Sequence, residues 1–193
     1  MTIHSIRRTA VLTAAAFAFP VALGVAAAPA FAGPQASGAF GPACASVPKE
    51  GSGSLAGMAR DPVATAASNN PALSTLVTAV KKAGLVDTLN NAKGITVFAP
   101  TNEAFAKIPT ARLDKILADK AELTKILTYH VVGENVSPQK LHKGSFKTLE
   151  GGTLTLAGSG KSFTVNGKAR IVCGDIQTAN ATVNVIDTVL TPM

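Results

Sequence analysis

Residues 96–105 read Thr96-Val97-Phe98-Ala99-Pro100-Thr101-Asn102-Glu103-Ala104-Phe105, and they turn the chain from strand to helix at a single proline. Ile95 to Ala99 is a short β-rich run, and Pro100, which has no N–H to donate to a ladder, stops it. Thr101 then stands where a helix cap is needed. Phe98 and Phe105 read as core anchors. Asn102, in a short buried loop, needs hydrogen-bond partners that the backbone of neighbouring segments can supply.

Working outward, the segments before and after this stretch are helical. Asp61-Pro62 is a start signal, with Asp61 as cap and Pro62 at the first helical position. Asn70-Pro71 repeats it. Leu73, Leu76, Val77 and Val80 fall at i, i+3, i+4 and i+7, giving an amphipathic helix that Gly84 ends. Leu85 to Asn90 adds a further short turn of helix. Thr110 and Asp119 are positioned to cap the next two helices, whose inward faces are Leu113, Ile116 and Leu117, then Leu123, Ile126 and Leu127. Tyr129-His130 ends the second of these and leads into the extended pair Val131-Val132.

From Phe146 the apolar period changes to two. Leu154 and Leu156 alternate with Thr153 and Thr155; Phe163 and Val165 flank Thr164; Asn166-Gly167 is a strong short-hairpin signal. Ile171-Val172-Cys173 and the run 182–187 complete a second half that is mainly antiparallel strand. Helices first and strands later imply an α+β fold rather than alternating βαβ units.

The amino end has a different character. Arg7 and Arg8 precede an apolar stretch from Ala10 to Ala28, and Ala30-Phe31-Ala32 places small residues at the −3 and −1 positions. These are the three parts of a secretory signal, with cleavage expected after Ala32. Pro20, Gly24 and the A-x-A site favour removal over retention as a stable membrane anchor. Residues 33–54 read as an irregular arm, and ordered structure is expected from about Leu55, so that 55–193 form one domain. The arm carries Cys44; the other cysteine is Cys173. An even count in an exported chain implies one disulfide, and two cysteines allow a single pairing. Free thiols are the alternative. Metal ligation is disfavoured, since neither has a Cys or His at ligand spacing.

Composition excludes several functions. The chain has 193 residues, 47% hydrophobic and 15% charged, which is far from the composition of a disordered chain. It contains no Trp and one Tyr, Tyr129, so a stacked-aromatic platform for sugars or bases is not expected. Without residues 1–32 there remain 16 Lys and Arg, 13 of them Lys, against 11 Asp and Glu. These lysines are scattered, and no Arg-rich stripe suggests nucleic acid. Ser137-Pro138-Gln139-Lys140 matches S-x-x-K, but its partner motifs are missing. There is no G-x-S-x-G, no H-E-x-x-H and no glycine-rich phosphate loop. Beyond the signal only His130 and His142 remain as histidines. No catalytic constellation, cofactor or metal site can be assembled. Asn135-Val136-Ser137 and Asn180-Ala181-Thr182 match the N-glycosylation pattern, which is expected to be inert in a bacterial exporter, with Asn180 serving a turn.

Three segments in order carry a family resemblance. Residues 96–105 resemble the first signature of the fasciclin (FAS1) domain, Tyr129-His130-Val131-Val132 its central Tyr-His motif, and Ala181 to Leu190 its second signature. Asp61-Pro62-Val63-Ala64, Ser68-Asn69-Asn70-Pro71, Val172-Cys173-Gly174 and Ala179 to Val183 look most like the small secreted immunogenic fasciclin proteins of mycobacteria and related actinobacteria. The resemblance implies a single fasciclin domain: a wedge-shaped β-sandwich with N-terminal and flanking helices. It also implies a non-enzymatic adhesion or host-interaction role outside the cell. Expected partners are extracellular matrix, a cell-surface receptor or envelope polysaccharide. Candidate adhesion contacts are Tyr129, His130 and the basic cluster Lys140, His142, Lys143 and Lys147; beside this stand the reading of His130 as a structural histidine tying helix to strand and the reading of the basic cluster as a solvated loop. An extracellular carrier of haem or lipid is the alternative function.

Overall fold

A computed structural model of the chain describes residues 38–192. The signal peptide and its cleavage site lie outside these residues. Within the arm, Pro42–Ser46 form a 3-10 turn. Four helices follow: α1 (Leu55–Met58), α2 (Val63–Ser68), α3 (Ser74–Ala83) and α4 (Val86–Asn91). Strand β1 (Ile95–Pro100) precedes α5 (Asn102–Ala106), α6 (Thr110–Ala118) and α7 (Lys120–Tyr129). The remaining strands are β2 (Val131–Val132), β3 (Lys143–Lys147), β4 (Thr153–Ser159), β5 (Ser162–Val165), β6 (Ala169–Gln177) and β7 (Ala181–Ile186).

The fold is α+β, and its sandwich is built from one continuous sheet in the order β2-β1-β7-β6-β5-β4-β3. The sheet bends at β6, whose first residues pair with β5 and whose later residues pair with β7. Two register shifts, between Ile171 and Cys173 and between Cys173 and Ile176, supply the bulges that let it bend. The two ends of the sheet then meet: Val132 of β2 bridges Thr148, just past β3, and Leu149 N–H donates to Val131 C=O at 2.8 Å. The sandwich is thus nearly a closed barrel.

Two cores result. One fills the curled sheet and includes Phe98, Leu154, Leu156, Phe163 and Val165. The other lies between the helices and the β1–β7–β6 part of the sheet, with Leu76, Val80, Val97, Phe105, Ile126 and Val183. Phe98 and Phe105 are therefore both core anchors, in different cores. β1 and β7 are buried on both faces. They pair in parallel, from Ile95 opposite Ala181 to Pro100 opposite Ile186. Burial on both faces explains why neither strand carries a charged residue, while β4 alternates, and it leaves Thr96, Thr182 and Asn184 as buried polar side chains.

The helix starts show where local signals were insufficient. Thr101 caps α5, accepting from Ala104 N–H at 3.2 Å, and Asp119 caps α7. Asp61 and Thr110 do not cap. α2 begins one residue later than expected, at Val63, and Asp61 instead accepts from Asn69. Thr110 is itself the first residue of α6. The free N–H groups of α2 are met from a distance: Val63 N–H donates to Asn180 Oδ1 at 2.8 Å and Ala64 N–H to Asn90 Oδ1 at 2.9 Å. Asn180 Nδ2 also donates to the carbonyls of Leu89 and Ala92, binding α4 to the strand entrance. Asn102 acts in the same way on α3: its Oδ1 accepts from Thr75 N–H at 2.9 Å and its Nδ2 donates to Pro71 C=O at 2.9 Å. Asn102, inside the first signature, and Asn180, immediately before the second, thus each cap a helix remote in sequence.

The cysteines form the Cys44–Cys173 disulfide, with 4.9 Å between Cα atoms. It fastens the arm to β6. Beside it, Phe40 and Gly174 exchange both backbone hydrogen bonds, and the Phe40 ring meets Phe163 edge-on at 5.1 Å. The absence of a side chain at Gly174 makes room for the Phe40 ring, which a Cβ there would displace.

Candidate functional site

Tyr129 and His130 close α7, between Ile126-Leu127 and Val131-Val132. Both are only 2% exposed. Their polar atoms are engaged inside the protein. Tyr129 OH donates to Thr153 C=O and accepts from Asn166 Nδ2, each at 3.1 Å. His130 Nδ1 is 2.8 Å from Ile126 C=O, and its Nε2 accepts from Leu190 N–H at 2.9 Å. With a carbonyl on one nitrogen and an N–H on the other, the imidazole is neutral, protonated on Nδ1. Burial lowers its pKa to about 4, against a smaller raising effect from the Ile126 carbonyl. The expectation that these two residues contact an adhesion partner is therefore corrected: they tie α7 to β4 and to the C-terminal segment. Their apolar neighbours on both sides in sequence were the available signal.

The basic cluster is exposed, as a contact surface requires, but it divides. Lys140 ends in a salt bridge to Glu134 at 3.1 Å, and His142 lies edge-on to Phe163. Lys143 and Lys147 point outward from β3, on the face opposite buried Phe146. There the ladder sets Lys143 beside Ala157, then Thr164, then Arg170, in one row across four strands. The next rows pair Ser145 with Thr155 and Lys147 with Thr153. The hydroxyls reach this face because Thr153 and Thr155 alternate with buried Leu154 and Leu156. Residues 143–172 hold five basic side chains and one acid, Glu150, so the segment is strongly positive. Glu150 is turned toward Lys125, 3.6 Å away on α7. At the Arg170 end the face sinks into an open depression of about 570 Å³ lined by Lys161, Ser162, Thr164, Arg170 and Asp187. Sequence reading missed Arg170, because only the ladder brings it into the row of Lys143, and Lys161, which stands in the turn between β4 and β5 and lines the same depression.

Among the described residues no group of three or more His, Cys, Asp or Glu side chains is placed to hold a metal ion. No helix among them is long and apolar enough to cross a membrane.

The family model for the fasciclin domain matches residues 71–192. The chain belongs to the fasciclin family. Immunogenic protein MPB70 of Mycobacterium bovis is 45% identical to it over 196 residues, covering 97% of this chain and 98% of MPB70. Cell surface glycolipoprotein MPB83 of the same species is 52% identical over 147 residues, 74% of this chain and 66% of MPB83. This fasciclin chain thus aligns with just under two thirds of the longer relative. A solved FAS1 domain pair from the insect cell adhesion molecule fasciclin I superposes with a TM-score of 0.58 at 19% identity, over 70% of this chain and 52% of that one. At that identity the likeness concerns the fold, and it agrees with the bent sheet and flanking helices of this fasciclin domain.

Proposed function

We propose that this chain is an exported, non-enzymatic adhesion module that holds an acidic polysaccharide through the outer face of β3, β4, β5 and the start of β6. The hydroxyl-rich, lysine-studded ladder at Lys143, Lys147, Thr153, Thr155, Thr164 and Arg170 carries this reading. Hydroxyls and cations at strand spacing suit a chain of sugars bearing carboxylates or sulfates. The names of MPB70 and MPB83, an immunogenic protein and a cell-surface glycolipoprotein, support display outside the cell. So does the secretory pattern of residues 1–32. A non-catalytic role is supported by the engagement of both His130 nitrogens and by Lys140 Nζ lying on Glu134. A matrix protein or cell receptor is the other partner class, reached through the same face.

Immobilised heparin and polygalacturonate, with neutral dextran as control, test this. Replacing Lys143, Lys147 and Arg170 together by Gln is expected to weaken binding to the acidic polymers about tenfold, from exposed contacts of up to about 1 kcal/mol each. Raising the salt should weaken wild-type binding similarly. Equal retention on dextran, or undiminished binding by the folded triple variant, would contradict the proposal.

A further inference from the structure

Between the helices and the sheet lies a second kind of site. A partly open cavity of about 170 Å³ is walled by α2, α3, α4 and α7 above β1 and β7. Its walls are mainly apolar side chains such as Leu76, Val80, Leu89 and Val183, and the hydroxyls of Thr128 and Thr178, which also line it, donate to backbone carbonyls. The one imidazole that borders it, His130, has both nitrogens engaged elsewhere. Water needs several polar partners to occupy such a space. Apolar cavities of about 150 Å³ stay dry and accept a ring of benzene size. Protein cores otherwise tolerate few voids larger than a water molecule.

The rim is not apolar throughout. Leu149 borders the cavity and, at 46%, is the one exposed large hydrophobic among the described residues. Lys81, exposed in the last turn of α3, borders it too. We propose that this cavity binds the alkyl chain of a small amphiphile, with an anionic headgroup at Lys81. Haem does not suit the space: the volume is well below the roughly 300–1,000 Å³ of ordinary ligand pockets, and His130 has no nitrogen free for iron. The site lies among the helices, apart from the polysaccharide face, and stands independently of it.

The test is a methyl-detected NMR titration of the protein with butyrate, hexanoate, octanoate, dodecanoate and 1-octanol. Saturable shifts are expected at the methyls of Val80, Leu89 and Val183. Affinity should rise about fourfold with each methylene that enters, then level off once the chain fills the cavity. Lys81→Gln should weaken octanoate about two- to fivefold and leave 1-octanol unchanged. Val77→Phe, which pushes a ring into the cavity from a half-buried wall position, should abolish binding. Absence of saturable shifts, a response flat in chain length, shifts confined to exposed residues, or undiminished binding by folded Val77→Phe would overturn the proposal. Should that variant fail to fold, the wild-type chain-length series decides alone.

Discussion

Replacing both cysteines, Cys44→Ala with Cys173→Ala, is expected to lower the unfolding free energy by about 3–5 kcal/mol. The two residues are 129 positions apart, so the bond closes a loop spanning most of the described chain. In the chain-entropy account such a closure removes about 5 kcal/mol of freedom from the unfolded state. The lower end of the range allows for residual structure in the unfolded chain. Alanine is the right replacement, since Cys173 is buried and serine would bury an extra hydroxyl. Without the bond, the arm keeps its backbone pair with Gly174, the edge contact of Phe40 on Phe163 and the packing of Ala43 and Val47 against the helical core. Its amides should exchange faster, beginning at Phe40. Urea unfolding followed by circular dichroism gives the first quantity, and hydrogen exchange the second. A loss below about 1 kcal/mol with unchanged protection at Phe40 would show that the arm is held without the disulfide.

Between about pH 4 and pH 6.5, stability is expected to rise with pH by about 3 kcal/mol on account of His130 alone. In the unfolded chain its imidazole takes a proton below about 6.5. In the fold, burial keeps it neutral down to about pH 4, the Ile126 carbonyl only partly offsetting that cost. Within this window the unfolded state binds more protons, so stability falls as the pH falls through it and is fully present above it. The 2.5-unit gap, at about 1.4 kcal/mol per unit, gives the magnitude. The Leu190 N–H acts in the same sense as burial, since it needs an unprotonated Nε2. Carboxylates also titrate here, so the informative quantity is the difference from His130→Gln. Gln can replace one or both hydrogen bonds but does not titrate, and its curve should be flatter across the window. Equal slopes, or an imidazole titrating near pH 6.5 by NMR, would contradict the assignment.

How much of this was legible in sequence depended on the range of each interaction. The hairpin at Asn166-Gly167 was plain, because both residues adopt positive φ, 52° and 64°, for reasons local to the turn. The alternation in 153–156 and the Asn70 cap on Ala72 were equally local. The parallel pairing of β1 with β7 was not legible, since 86 residues separate Ile95 from Ala181. Nor were the distant caps: Asn102 and Asn180 stood out within motifs, yet nothing near them shows which helix they serve. Tyr129 and His130 stood out as the central Tyr-His motif and were candidate contacts, with a structural role for His130 beside that; the fold turns both side chains inward. Lys143 and Lys147 were recognised as basic, while Arg170 joined them only through the β3–β4–β5–β6 ladder.

The most direct test of the surface reading is a footprint: backbone amide shifts of the labelled protein, titrated with a size-defined heparin fragment at low salt. Perturbations should concentrate at Lys143, Ser145, Lys147, Thr153, Thr155, Thr164 and Arg170, and vanish as the ionic strength is raised. A footprint on α2–α4 instead, or shifts scattered evenly over every exposed lysine, would contradict an adhesion surface on the outer sheet.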